Sequence, residues 1–229
     1  MMKDGFFGFL KIRAVPTLFW SAPRPLTIRP PFISVVMLAI GLVIFGLGEA
    51  LLIASGVGVS PWTVLAQGLT NITGWSVGLA TFVVSVAVLL LWVPLRQTPG
   101  MGTILNIIII SLVLDLADPW LPRFDSLALR VAEAAAGVIV TGIGGGIYLI
   151  ANLGPGPRDG LMTGLQRLTN LPIAWVRSAI ELGAVALGWS LGGVVGIGTL
   201  LFAFGIGPCV AATMYGLQRV FGTGKPGRS

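Results

Sequence analysis

The sequence predicts an all-α integral membrane protein. We expect six transmembrane helices arranged as two inverted three-helix repeats, each with an extra short interfacial or re-entrant helix. Three observations support this: few charges, an internal repeat, and an uneven distribution of Lys and Arg. Only 10% of the 229 residues are charged, against about 25% in an average soluble protein. Residues 50–95 and 182–218 contain no charge, which excludes a soluble fold covered by charged side chains.

Six apolar segments are assigned as spans, since about 20 mostly apolar residues cross a bilayer. They are 31–54, 75–95, 101–116, 127–151, 172–190 and 195–220. With the N-terminus in the cytoplasm, eleven Lys and Arg residues lie inside and two lie outside. Basic residues are retained on the cytoplasmic side, so we predict that both termini are cytoplasmic.

The spans divide the chain into five predicted segments. A basic and aromatic cytoplasmic tail is followed by the first membrane repeat, an extracytoplasmic loop, the second repeat and a second basic cytoplasmic tail. Their bounds are 1–30, 31–118, 119–126, 127–220 and 221–229.

The repeat has a constant offset of 96 residues. Glycine, proline and Gly-Thr positions coincide at this offset: Gly58 with Gly154, Pro61 with Pro157, and Gly102-Thr103 with Gly198-Thr199. Each repeat holds three spans, and an odd number makes the second copy enter the membrane from the opposite side. Each Gly-Thr pair begins a third span, where the Thr hydroxyl either caps the helix, which we favour, or lines a solute path.

Two further segments, 60–70 and 156–169, are helix-forming but too short to cross a membrane. Pro61, followed by Trp62, and Pro157 suit the first position of a helix. These segments are either interfacial helices or re-entrant half-helices. If they are re-entrant, their N-terminal ends carry partial positive charge and free N–H groups, and both ends can face one cavity.

The same motifs resemble a known family, the YczE-type membrane proteins related to the YitT group. The resemblance covers about residues 29–220 and rests on the segments Gly58–Leu65, Gly74–Gly78 and Leu153–Met162, and on Arg177, Glu181 and Gly196–Thr199. It implies a multi-pass protein of the bacterial plasma membrane and gives no substrate. Relatives often have an acidic residue after Pro-Trp, where this chain has Thr63, and this departure weakens the case for an acidic site there in the first repeat.

Four charged residues form the candidate inner site: Arg158, Asp159, Arg177 and Glu181. A charge inside a span costs about 2.5–3.5 kcal/mol on insertion scales, so each charged residue there requires a structural or functional explanation. Arg177 and Glu181 are four residues apart on the fifth span, and Asp159 lies in the first turn of the second short helix. Two interpretations remain open: a structural salt-bridge cluster, or a solute or proton site. The equivalent residues of the first repeat are all uncharged.

Glu49, Asp115 and Glu133 form a candidate outer polar cluster. Each is predicted near the outer end of a span, so these carboxylates either meet each other or reach interfacial water. No histidine is present, and Cys209 is the single cysteine. We therefore expect no metal site and no cofactor, and we do not expect an enzyme.

The favoured hypothesis is a secondary transporter or channel for a small solute, with its site between the inverted repeats. The alternative is a non-transporting membrane scaffold or regulatory protein whose charges satisfy one another. Expected partners are the lipid bilayer, a small solute or ion, and a second copy of the chain. Nucleic acid is not expected, since the basic residues are explained by membrane orientation.

Overall fold

The fold is a bundle of eight α-helices, seen in a computed structural model that describes residues 15–222. Within that range no residue lies in a β-strand. The helices are α1 (Phe32–Ser55), α2 (Pro61–Thr73), α3 (Val77–Leu90), α4 (Met101–Ala117), α5 (Leu127–Ala151), α6 (Pro157–Thr169), α7 (Ile173–Ser190) and α8 (Ile197–Phe221). The ends of the two predicted tails, 1–14 and 223–229, lie outside the described residues.

Four of the described helices are long and apolar enough to cross a membrane: α1, α4 with the 3₁₀ turn that follows it, α5 and α8. A fifth span is obtained if α2 and α3, which are bent by 114° at their junction, are counted as one broken span. Helix α7, which carries Arg177 and Glu181, is not among them. The described residues therefore form a helical membrane protein with four membrane-capable helices, or five if the bent pair is one span.

The second predicted span is shorter than expected. Helix α3 has 14 residues and ends at Leu90, whereas the sequence predicted a span to residue 95. Residues 91–96 form turns instead. Pro94 has no N–H to donate to the Leu90 carbonyl and disfavours a helical conformation at Val93, so a helix end before it is expected. The indole N–H of Trp92, two residues beyond the helix, donates a hydrogen bond to the carbonyl of Pro157 at 2.9 Å and attaches these turns to α6.

Helices α1 and α5 form the centre of the bundle and touch through glycine. A Cβ atom at Gly48 would overlap the backbone of Thr141, and a Cβ atom at Gly144 would overlap the backbone of Phe45. Gly48 and Gly144 are 96 residues apart, so each repeat supplies one side of the crossing. Small residues at such crossings let membrane helices approach closely.

The two halves of the chain have matching elements. Helices α2 and α6 each have 13 residues and begin with a proline. The preceding glycines also match, with φ 115° at Gly58 and φ 112° at Gly154, values that L side chains rarely adopt. Gly102 N–H donates to the Leu153 carbonyl at 2.7 Å, and Gly198 N–H donates to the Val57 carbonyl at 2.9 Å. Each half thus holds the loop of the other through an equivalent hydrogen bond.

The predicted capping role of the Gly-Thr pairs is confirmed. The N–H of Gly100 donates to Thr103 Oγ1 at 3.1 Å, and the N–H of Gly196 donates to Thr199 Oγ1 at 3.3 Å. These bonds satisfy a backbone donor at the start of α4 and of α8.

The described part of the N-terminal segment packs on the bundle. Trp20 is 1% exposed and contacts Ile150 and Met214. Ala22 N–H donates to the Ala151 carbonyl at 3.0 Å. This stretch therefore covers the adjoining ends of α5 and α8.

Candidate functional site

The first turns of α2 and α6 border one cavity of about 290 Å³, which we call the central cavity. Helices α1, α4, α5, α7 and α8 contribute the remaining wall. Every residue of the predicted inner site and every predicted half-helix start lines it: Arg158, Asp159, Arg177, Glu181, Pro61, Trp62 and Pro157. Residues spread over 120 positions of sequence are thus brought together.

Local sequence explains why α2 and α6 begin at this cavity. Proline at the first helical position lacks the N–H that would be unpaired there, and its fixed φ suits a helix. Residues just before Pro61 and Pro157 are extended, with ψ 153° at Ser60 and ψ 160° at Gly156. The chain therefore turns into each helix at the cavity edge, with the first-turn N–H groups directed back along the axis.

Arg177 and Glu181 form an ion pair along α7. Arg177 Nε lies 2.9 Å from Glu181 Oε1. Their side chains are 53% and 26% exposed in the isolated chain. The predicted i,i+4 pairing is therefore present at the cavity, and it leaves the two charges mutually compensated.

Asp159 has a partner that the sequence did not suggest. The hydroxyl of Tyr148, on α5, lies 3.3 Å from Asp159 Oδ2. Tyr148 also lines the central cavity, as does Asn106 on α4. Neither was predicted, because nothing in the spacing of α4 or α5 distinguishes the helix face that meets α6.

Arg158 lies against Trp62 across the cavity. Its guanidinium carbon is 5.5 Å from the centroid of the indole ring, within the range of a cation–π contact. Within residues 15–222, no acceptor or carboxylate makes a hydrogen bond or ion pair with its guanidinium. The four inner charges therefore do not form one salt-bridge cluster.

Glu49, a residue of α1, lies against the first turn of α2 and is not among the residues that line the cavity. Its side chain is 1% exposed, and Oε2 accepts hydrogen bonds from Ser60 Oγ at 2.8 Å and from Thr63 Oγ1 at 2.7 Å. Oε1 has no hydrogen-bond partner among the described residues. A carboxylate near a helix N-terminus is stabilised by the partial positive charge there.

The other two carboxylates of the predicted outer cluster have separate environments. Asp115 accepts hydrogen bonds from Ser76 Oγ at 2.6 Å and Gly78 N–H at 2.7 Å, which caps α3. Glu133 is 7% exposed, and neither carboxylate oxygen has a hydrogen-bond partner in the described range. No hydrogen bond or ion pair joins Glu49, Asp115 and Glu133 within residues 15–222.

The rest of the cavity wall is largely apolar. One side is formed by residues of α8 at helical spacing, namely Phe202, Ile206, Val210 and Met214. Across the described residues, no group of three or more His, Cys, Asp or Glu side chains is placed to hold a metal ion. The cavity thus combines a charged end with an apolar side, as small-molecule sites do.

Comparison with known proteins places the chain in a family. A family model described as "Family of unknown function (DUF6198)" matches residues 32–215, which include all eight helices in whole or in part. The chain belongs to this family. The resemblance to YczE-type proteins is confirmed, since the chain is 32% identical to the uncharacterized membrane protein YczE of Bacillus subtilis over 71% of this chain and 77% of that protein.

Two further relatives agree with this assignment. An uncharacterized protein of Haemophilus influenzae is 42% identical over 87% of this chain and 91% of its own length. The uncharacterized protein YyaS of Bacillus subtilis is 30% identical over 71% of this chain and 83% of its own length. No solved structure matches the chain. YczE is described as a membrane protein, in agreement with the apolar helices of this chain.

Proposed function

We propose that the protein is a secondary transporter or channel for a small solute, and that the solute passes through the central cavity between two inverted repeats. The proposal comprises six spans, α2 and α6 as re-entrant half-helices, and both termini in the cytoplasm of a bacterial plasma-membrane protein. Its partners are the lipid bilayer, a small solute or ion, and a second copy of the chain. It includes no catalytic step, cofactor or nucleic acid.

One observation carries this proposal: the starts of two equivalent short helices and four ionisable residues line the same cavity. Transporters built from inverted repeats bind substrate between the repeats, at the ends of discontinuous helices. Polar groups at membrane depth are tolerated where they line a water-filled cavity. The same arrangement explains why charges with a high insertion cost occur on α6 and α7.

The matched elements support the inverted arrangement. Helices α2 and α6 are about 20 Å long at 1.5 Å per residue, too short to cross the hydrocarbon layer of about 30 Å. Helix α2 packs on α7 and α6 packs on α3, so each short helix contacts the second span of the opposite repeat. The exchanged hydrogen bonds of Gly102 and Gly198 follow the same pattern.

The alternative is a scaffold or regulatory protein, and the Arg177–Glu181 ion pair favours it. These two charges satisfy each other on one helix and need no solute. Arg158 favours transport instead, since this cavity-lining charge has no carboxylate partner within the described residues.

Solute flux into liposomes that contain the purified protein tests the proposal. The panel holds labelled monocarboxylates, amino acids, monoamines and sugars. We expect flux of one class, lowered at least tenfold in Arg177→Ala, Asp159→Asn and Glu181→Gln. Arg123→Gln is the matched control, because Arg123 pairs with Asp118 at 2.8 Å on an exposed surface. If the flux of all three cavity variants equals that of the unsubstituted protein, the assigned site is contradicted. If the protein shows no flux and co-purifies with one stoichiometric protein partner, the scaffold function is favoured.

A further inference from the structure

The donors that remain free in the central cavity indicate the charge of its ligand. Arg158 lines the cavity and has no hydrogen-bond or ion-pair partner within the described residues. Trp62 lines it as well, and the Arg158 guanidinium carbon lies 5.5 Å from the centroid of its ring. A guanidinium carries five N–H donors and no acceptor, so an anionic oxygen in the cavity would meet donors that no residue of the described range engages.

Each acidic group in or near the cavity accepts at least one side-chain hydrogen bond, whereas Arg158 donates none to the described residues. Glu181 accepts from Arg177 Nε at 2.9 Å, and Asp159 accepts from the Tyr148 hydroxyl at 3.3 Å. Glu49, behind the wall, accepts from two hydroxyl groups of α2. A cationic ligand would have to approach the unpaired charge of Arg158, whereas an anionic group would meet guanidinium donors that have no other acceptor within residues 15–222.

The apolar side of the cavity indicates the remainder of the ligand. Phe202, Ile206 and Val210 of α8 lie on one wall and offer no hydrogen-bonding side chain. A volume of about 290 Å³ is at the small end of the range for small-molecule sites. A short hydrocarbon chain fits this wall better than a polyhydroxylated body, whose hydroxyl groups would lack partners.

We propose that the central cavity binds a small organic monoanion, with its carboxylate on the Arg158 guanidinium and its apolar body against α8. This inference rests on the proposed function for the location of the site and adds the substrate class. Arg158 lies in the first turn of α6 and its guanidinium contacts Trp62 in the first turn of α2, so the ligand would bind where both short helices begin. The positive ends of both helices favour the same charge.

Binding to the purified full-length protein in detergent tests the inference, with butyrate, butyramide and butylammonium as probes of equal chain length. Isothermal titration is expected to show binding of butyrate alone. Arg158→Gln is expected to weaken it about 10- to 100-fold, the loss of a charge-assisted contact. Trp62→Phe keeps a ring but weakens the cation–π contact that positions the guanidinium, so a smaller loss, about 2- to 5-fold weaker binding, is expected.

Two control variants address folding. Arg123→Gln removes an exposed arginine, and Trp175→Phe alters an indole that is 73% exposed and does not line the cavity. Both are expected to bind butyrate as the unsubstituted protein does. Equal or tighter binding of butylammonium or butyramide, no binding of any probe, or full affinity in Arg158→Gln would overturn the inference.

Transport and anion binding can fail separately. If liposomes take up amines or sugars through a route that the cavity variants block, the proposed function stands and the anion inference is wrong. If butyrate binds through Arg158 but no solute crosses the membrane, the anion site stands and the transport proposal is wrong.

Discussion

The Thr63 hydroxyl donates a hydrogen bond to the Glu49 carboxylate at 2.7 Å. Thr63 is equivalent to Asp159 at the offset of 96 residues, so a carboxylate lies at the first turn of both short helices. In α6 the helix itself supplies the acid, and in α2 the neighbouring helix α1 supplies it. Thr63 alone weakened the case for an acidic site in the first repeat, but Glu49 of α1 supplies the carboxylate at this place.

Replacement of Glu49 by Gln is expected to destabilise the protein. The amide keeps the shape of the side chain but loses the charge that accepts from Ser60 and Thr63. Hydrogen bonds to charged groups contribute about 1.5–3 kcal/mol each, so the free energy of unfolding is expected to fall by about 2 kcal/mol. Thermal unfolding in detergent measures it, with the exposed Asp125→Asn as control. An unchanged unfolding temperature would show that these contacts contribute no stability.

A double-mutant cycle tests the equivalence of Glu49 and Asp159. Thr63→Asp alone would place two carboxylates side by side at a buried position, and we expect the free energy of unfolding to fall by about 2 kcal/mol. Combination with Glu49→Gln is expected to restore part of the stability, because the new acid then faces an amide donor. Additive losses in the double variant would mean that the two positions do not share one carboxylate site.

The crossing of α1 and α5 gives a third prediction. Gly144→Ala would push a methyl group into the backbone of Phe45, so the helices must separate. Loss of a close helix crossing is expected to cost more than about 2 kcal/mol and to lower the folded yield. Gly183→Ala is the matched control, since no atom lies within 4 Å of its added Cβ. Equal stability of the two variants would contradict the close crossing.

The proposed orientation is tested by labelling of cysteines in whole cells. In a Cys209→Ala background, Asp125→Cys is expected to react with a membrane-impermeant maleimide, because residues 119–126 form the proposed outer loop. Arg24→Cys, which is also exposed in the structure, is expected to react only after the cells are opened. The reverse labelling pattern would show that the N-terminal segment is outside the cell and that the proposed topology is wrong.

The sequence predicted the membrane class and the positions of the short helices. Pro61 and Pro157 each begin a helix as predicted, because a proline after an extended, Gly-rich stretch is a strong local signal. The Arg177–Glu181 pair is also present, since a spacing of four residues on one helix determines it. These features depend on local chemistry, which a single sequence contains.

Contacts between distant segments were not predictable in the same way. The bond from Thr63 to Glu49 depends on the bend between α1 and α2, and the contact of Tyr148 with Asp159 depends on how α5 rotates against α6. The hydrogen bond from Trp92 to Pro157 likewise joins residues 65 positions apart. Each is set by tertiary packing, which hydrophobic periodicity does not specify.

The central claim is that solute passes through the cavity where α2 and α6 begin. Gly207 lines this cavity, Gly216 on the same helix does not, and an added Cβ at either meets no atom within 4 Å. Flux into liposomes is measured for Gly207→Cys and Gly216→Cys, each with Cys209→Ala, before and after treatment with a methanethiosulfonate reagent. The account predicts that the reagent stops flux in Gly207→Cys and leaves flux in Gly216→Cys unchanged. Full flux in modified Gly207→Cys would contradict it.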